Sequence, residues 1–260
     1  MTILDAIYQH KVSEVEKNKK QIPLRVLEKR MQKRHDTKPF GRALKSDTNI
    51  CIIAEIKKAS PSLGVIREDF QPAEIARLYQ KGGAAAISVL TDEKYFQGKL
   101  SYIKDVKQSV DLPVLRKDFI VDPYQIYEAQ SAGADAILLI AALLSEDTIQ
   151  RFLNLARELE MDCLVEVHTG AELQKVLQTS ADIIGINNRD LATFIVNLET
   201  TFQLRPMIPE GKIIVSESGI KSRTEILRLF NKGINAVLIG ETFMKSDDIP
   251  AALHELLGTT

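Results

Sequence analysis

Eight short apolar runs, recurring about every 20 to 33 residues, dominate the chain from Cys51 onward. They are Cys51–Glu55, Ala84–Leu90, Pro113–Leu115, Ala136–Ala141, Cys163–Val167, Ile183–Ile186, Ile213–Val215 and Ala236–Ile239. Each is rich in Ile, Val, Leu or Ala with little polar alternation, the pattern of strands covered on both faces in a parallel sheet. Amphipathic stretches separate them: Pro72–Gln80, Pro123–Ser131, Ser145–Glu158, Ala171–Gln178 and Ser222–Asn231. Glycines at Gly82-Gly83, Gly133 and Gly233 mark helix ends before the next strand. Ser145 with Asp147 and Thr148, and Ser222 before Glu225, are helix-starting residues. Strands alternating with helices close in one of two ways. A doubly wound sheet carries a glycine-rich phosphate turn after its first strand. Here that strand runs into Lys57-Lys58-Ala59-Ser60-Pro61-Ser62, which holds no such turn. The even spacing and the count of eight predict a closed (β/α)8 TIM barrel.

The opening residues lie outside this rhythm. From Ile3 to about Lys17 and from Leu24 to about Lys33, apolar residues recur at helical spacing, and Pro23 suits a first helical turn. A single barrel domain over residues 1–260 is therefore expected, with residues 1–48 as an N-terminal helical extension. The basic stretch Lys29-Arg30-Met31-Gln32-Lys33-Arg34 has Glu14, Glu16 and Glu28 interspersed nearby and reads as a solvated helix face. A formal net charge of −1 supplies no field for a nucleic acid. No run approaches the roughly eighteen apolar residues that span a membrane. Met1–His10 lacks the basic start and apolar stretch of a signal peptide, so a cytoplasmic location is expected. Cys51 and Cys163 sit in apolar runs and read as core filler in a reducing compartment.

Catalytic groups of such a barrel stand at the C-terminal ends of its strands. Those ends carry Glu55, Lys57 and Ser60; Thr91 and Asp92; Arg116, Lys117, Asp118 and Phe119; Glu166 and His168; and Asn187, Asn188 and Arg189. The seventh gives Ser216 to Gly219, and the eighth Gly240 and Glu241. Charged residues on strands are costly to bury without purpose, so this convergence predicts an active site. Ser216-Glu217-Ser218-Gly219-Ile220 and Ile239-Gly240-Glu241-Thr242 follow strands seven and eight, where these barrels bind phosphate. Neither a metal-spaced cluster nor a G-x-G-x-x-G turn occurs, so neither metal nor cofactor is expected. Lysines and glutamates remain, and they predict acid–base chemistry with Lys117 and Glu166 facing one cavity. Clustered cations are expected to lower the lysine's pKa, and burial to raise the carboxylate's. His168, the one histidine near a strand end, reads as a packed or supporting residue.

The stretches Ile53–Ser62, Ile87–Asp92, Leu115–Ile120, Gly133–Ile140, Leu164–Thr169, Gly185–Leu191, Val215–Ile220 and Leu238–Glu241 together carry a resemblance. With Ile3-Leu4-Asp5 and Lys38-Pro39-Phe40, they resemble the indole-3-glycerol phosphate synthase family over essentially the whole chain. The resemblance implies conversion of 1-(2-carboxyphenylamino)-1-deoxyribulose 5-phosphate to indole-3-glycerol phosphate, with loss of carbon dioxide and water. It implies Lys117 as the general acid at ring closure and Glu166 as the group that handles the proton of dehydration. Lys57 would position the substrate carboxylate and stand as a second acid. Glu55, Asn187 and Glu217 would complete the polar shell, the two glutamates holding the lysines charged and oriented. Arg189 would face the anthranilate carboxylate, which its planar fork suits. Phe96, Phe119 and Leu138 would wall the aromatic ring. Ser60, Ser218, Gly219, Gly240 and Glu241 would hold the phosphate, the last two through backbone N–H groups. The N-terminal helices would cover the barrel mouth. A monomer is expected, associating at most weakly with other enzymes of the tryptophan pathway.

Leu63 and Lys99 depart from the family pattern, where lysine and serine are common, and both fall in loops. Phosphoribosylanthranilate isomerase, another cofactor-free phosphate barrel, relies on a cysteine and an aspartate, and Cys51 stands at the wrong end of strand one. A Schiff-base aldolase would want a lysine on strand six, where Asn187 stands. A catalytically silent phosphate-binding barrel would have no reason to keep Lys117 with Glu166.

Overall fold

The computed structural model describes residues 3–31, 37–191 and 193–259. Gln32, Lys33, Arg34 and His35 therefore lie outside the described residues. Strands β1 (Cys51–Ile56), β2 (Ala86–Leu90), β3 (Val114–Lys117), β4 (Ala136–Ile140), β5 (Asp162–Val167), β6 (Ile183–Asn187), β7 (Ile213–Glu217) and β8 (Ala236–Ile239) pair in sequence order. All pairings are parallel, and β8 pairs back onto β1, so the sheet closes into a barrel. Each apolar run is a strand. Three strands run further than hydropathy indicates and take in Lys117, Asn187 and Glu217. Ladder pairing continues through those residues, Leu90 opposite Lys117 and Asn187 opposite Glu217. A polar residue that ends a strand is indistinguishable from loop by apolar pattern alone.

Side chains alternate along each strand. Ile53, Leu115, Leu164 and Val215 point into the barrel from β1, β3, β5 and β7 and form a buried apolar layer. Two residues further on, the same four strands present Glu55, Lys117, Glu166 and Glu217. Side chains stacked in layers from alternate strands are the way such a barrel fills its interior. Outward-facing Ile52, Ala54, Val89, Val165 and Val237 pack beneath the helices.

The predicted helices form as Pro72–Lys81, Pro123–Ala132, Glu146–Glu158, Gly170–Leu177 and Arg223–Phe230. Asp122 and Ser222 close capping boxes, and Ser145 accepts from Thr148 N–H. Ser101–Lys107 and Glu199–Leu204 are helices that the sequence pattern does not announce: both are short and neither has a side-chain cap. Among the described residues no helix is long and apolar enough to cross a membrane.

The extension begins with α1 (Ile3–Gln21) and α2 (Leu24–Met31). In α1 the residues Ile7, Lys11 and Val15 are buried, a spacing that puts them on one face. Lys11 is fully buried. Its Nζ lies 2.9 Å from each of Glu14 Oε1, Asp92 Oδ2 and Asp118 Oδ1. A lysine buried without partners would lose its charge. Here burial opposes the ammonium, but Asp118 and Asp92 outweigh it and hold the pKa above the usual lysine value. That pin fixes α1 over the loops that follow β2 and β3. Among the described residues of the extension, Ile3, Leu4 and Ile7 of α1 line the mouth and no residue of α2 does, which narrows the expectation for both helices. Leu27 of α2 packs with Val15 and Tyr124 on the barrel flank. The chain then passes beneath the barrel, where Phe40 and Leu44 are fully buried against the interior floor. Lys38 N–H donates to Asp135 Oδ1 at 2.9 Å and Gly41 N–H to Asp162 Oδ2 at 2.8 Å, which ties this segment to the starts of β4 and β5. Water would otherwise reach the apolar floor.

Phe40→Ala removes the ring that plugs the floor, at the end of the barrel opposite the mouth. It is expected to lower stability by about 3–5 kcal/mol, read as a lower urea midpoint. The folded fraction should keep its turnover.

Candidate active site

One cavity of about 730 Å³ opens at the C-terminal ends of the strands; every residue to which the resemblance gives a role lines it, whereas the strand-end residues Thr91, Asp92, Arg116, His168, Asn188 and Ser216 do not. Glu55, Lys57, Lys117, Glu166, Asn187 and Glu217 form its polar side, while Phe96, Phe119 and Leu138 are apolar wall. Arg189, Ser60, Ser218, Gly219, Gly240 and Glu241 complete it. Ile3, Leu4 and Ile7 of α1 also face it. Ile3 and Leu4 belong to the Ile3-Leu4-Asp5 stretch of the resemblance, which gives them no role at the site, and Ile7 reads as an ordinary helix-face residue.

The ammonium of Lys117 sits between two carboxylates, 3.2 Å from Glu166 Oε2 and 3.5 Å from Glu217 Oε2. Lys57 Nζ lies 2.6 Å from Glu55 Oε2. The neighbours of Lys117 are thus anions and not cations, and this reverses the expected shift. Burial works against its charge, but Glu166, Glu217 and Glu55 outweigh burial and hold its pKa above the ordinary lysine value. Glu166 is reversed as well. Burial alone would raise it, yet Lys117 and His168 hold it well below the usual carboxylate range. The carboxyl that does rise is Glu217, pushed up to about 8 by burial and by the negative charge of Glu166. Two acids on one cation have separated into an anion and a proton carrier.

Glycine makes room for this ring of charge. Gly185 faces inward from β6, where a Cβ would lie 2.2 Å from Glu217 Oε1 and 3.2 Å from Leu164 Cδ1. A Cβ on Gly240 would lie 2.5 Å from Glu55 Oε2. Gly240, predicted as a phosphate donor, is therefore also the space Glu55 occupies. Gly185 is absent from the predicted site, and the available signal was a lone glycine inside a run of isoleucines.

The rest of the rim is set by short-range contacts. Asp92 caps the helix Glu93–Phe96, accepting from Tyr95 N–H at 2.6 Å, and this sets Phe96 with its ring centroid 6.2 Å from that of Phe119. After β7 the backbone is left-handed at both Ser218 (φ 68°) and Gly219 (φ 84°). Asn188 Nδ2 stitches this loop by donating to Ser216 Oγ and to the carbonyls of Glu217 and Ser218. Arg189 donates to the Phe194 carbonyl at 3.3 Å, and its Nη2 is 4.0 Å from Glu241 Oε2. Gly240 leads directly into the helix Glu241–Met244.

A sequence model of the family described as "Indole-3-glycerol phosphate synthase" matches residues 4–256. The chain belongs to the indole-3-glycerol phosphate synthase family. The family's activity comes with it: indole-3-glycerol phosphate synthesis by a carboxy-lyase of tryptophan biosynthesis. The chain is 49% identical over 256 residues to indole-3-glycerol phosphate synthase of Legionella pneumophila (strain Paris), covering 98% of each chain. It is 47% identical over 254 residues to that of Alkaliphilus metalliredigens (strain QYMF), covering 98% of this chain and 97% of the relative. Among solved structures, a 3-hexulose-6-phosphate synthase superposes with a TM-score of 0.63 at 16% identity, over 81% of this chain and 99% of its own. A thiamine phosphate pyrophosphorylase from Pyrococcus furiosus gives 0.61 at 16% identity, over 84% and 96%. At that identity the structures share the barrel alone.

Two outcomes test this account of the synthase-family mouth. Gly185→Ala is expected to displace Glu217 and lower turnover more than it lowers the urea midpoint. The pH dependence of stability carries the second. Glu217 rises from 4.5 to about 8 on folding, so its stabilising share is complete below pH 4.5 and lost as pH climbs through 8. Glu217→Gln stays neutral and should flatten that fall in urea titrations across the range; equal slopes in both proteins would contradict the shift.

Proposed function

We propose that this mouth performs the family reaction with Lys117 as general acid and Glu166 as its partner in proton transfer. The Lys117 ammonium held between Glu166 and Glu217, at the base of a cavity with one aromatic wall, carries the reading. The substrate is 1-(2-carboxyphenylamino)-1-deoxyribulose 5-phosphate. Its ring carbon bearing the carboxylate attacks the ribulose carbonyl, and the new carbon–carbon bond forms as the carbonyl oxygen takes the Lys117 proton. The surrounding carboxylates make this ammonium a weaker acid than a free lysine. An alkoxide is still far more basic than an amine, so the transfer is favourable as the oxyanion develops. Carbon dioxide then leaves, and its bonding pair restores the aromatic ring. The hydroxyl made in the first step departs as water on a proton from Lys57, while Glu166, held as an anion, takes the proton lost from the ribulose C1 as the double bond of the indole forms.

Lys57, oriented by Glu55, positions the substrate carboxylate and stands as a second acid. Arg189 faces the same carboxylate, and Asn187 and Glu217 complete the polar shell. Phe96, Phe119 and Leu138 hold the aromatic ring. The phosphate lies at Ser60, Ser218, Gly219, Gly240 and Glu241, where small residues and left-handed backbone expose N–H groups. The chain works without a cofactor, as a cytoplasmic monomer with at most weak association with other enzymes of the tryptophan pathway.

Supplying the carboxyphenylamino-deoxyribulose phosphate and following indoleglycerol fluorescence tests the whole reading. Lys117→Ala is expected to lower kcat by about 10²–10⁴-fold, with the fold intact by circular dichroism. Near-full activity in that variant would remove Lys117 as the acid. No turnover by the folded wild type would remove the reaction itself.

A further inference from the structure

Two residues past Glu166, just beyond the end of β5 and outside the cavity lining, stands His168. Its Nε2 is 3.3 Å from Glu166 Oε1, near enough for an ion pair though not aligned as a hydrogen bond. Its Nδ1 is 3.1 Å from Glu172 Oε2, and the same oxygen accepts the His168 backbone N–H at 2.8 Å. Glu172 is itself fixed in the first turn of the helix Gly170–Leu177, where Thr169 caps its backbone N–H at 3.2 Å. The ring is therefore held by its own main chain and by a braced carboxylate. The side chain is only 7% exposed.

We propose that His168, braced by Glu172, is a positioning residue that fixes the orientation and the negative charge of Glu166. The geometry leaves the ring one compatible protonation state. An ionised carboxylate only accepts, so Glu172 requires a proton on Nδ1. A neutral ring would then turn the lone pair of Nε2 toward the Glu166 carboxylate, which is repulsive. Both nitrogens therefore carry protons, and an imidazolium stands between the two carboxylates. Burial opposes that charge, but the two carboxylates, Glu166 and Glu172, overcome it and push the histidine up to about 10. The other charged groups around Glu166 are Lys117 from β3, Glu217 from β7 and, acting on both of those, Glu55 from β1. Within that set Lys117 and His168 are the cations acting on Glu166, and Lys117 is shared with Glu217. His168 belongs to Glu166 and Glu172 alone, so it biases the proton of the pair toward Glu217. The inference rests on Glu166 taking part in proton transfer and deepens that assignment.

Nitrogen-15 spectra of the histidine ring in the full chain test it without any substitution. Both ring nitrogens are expected to remain protonated at about pH 8, and a neutral imidazole there overturns the proposal. His168→Gln keeps a donor but loses the charge. It is expected to lower kcat on the order of tenfold or more, with KM within about twofold, and to move the acid limb of kcat/KM up by about one pH unit. Glu172→Gln keeps an acceptor for the His168 N–H and should shift the limb in the same direction by less, so the test survives if His168→Gln fails to fold. A loss of kcat with the wild-type limb in both variants means packing alone and overturns the role. Near-full turnover in Glu166→Gln would instead remove the assignment of Glu166, while leaving the protonated ring in place.

Discussion

An ammonium held between two buried carboxylates governs the character of this barrel mouth. Charge cannot be carried into an apolar interior singly, so each ion here exists because its counterpart does. Lys117 keeps Glu166 ionised, Glu166 drives a proton onto Glu217, and Glu55 pairs with Lys57 while acting on both Lys117 and Glu217. Removing any one would rearrange the protons on the rest, which is why their contributions will not add as independent terms.

The arrangement depends on the period of a strand. Ile53, Leu115, Leu164 and Val215 fill one layer of the barrel, and the charged residues are the next inward positions on the same strands. Rigid apolar packing below fixes where those side chains leave the sheet. Space above them comes from Gly185 and Gly240, where any side chain would occupy the volume that Glu217 and Glu55 take. Chemistry is thus separated from folding by a step of two residues: the lower layer stabilises, the upper one reacts.

Most of the barrel was legible in the sequence because buried parallel strands leave continuous apolar runs and their helices carry caps. The lining of the mouth was legible too, since charge at the ends of buried strands is too costly to keep without a use and the motifs resemble one family. What stayed hidden was relational. Hydropathy cannot tell that Lys117 has anions and not cations for neighbours, so the directions of its shift and of Glu166 were both misread. Lys11 looks like any lysine on an amphipathic helix until Asp92 and Asp118 are brought to it from two loops. Lys38-Pro39-Phe40 shares in the resemblance, but nothing local announces the descent of Lys38–Leu44 beneath the barrel, because Phe40 and Leu44 are ordinary apolar residues whose partners lie far along the chain.

That last segment has a consequence for how the chain is made. The extension is made before the barrel, yet the floor that receives Phe40 includes Ile183 and Ile213, from the sixth and seventh strands. The socket does not exist until the sheet has closed. Phe40 and Leu44 must therefore wait for their partners until the later strands are made, and residues that precede the barrel are seated only after it closes.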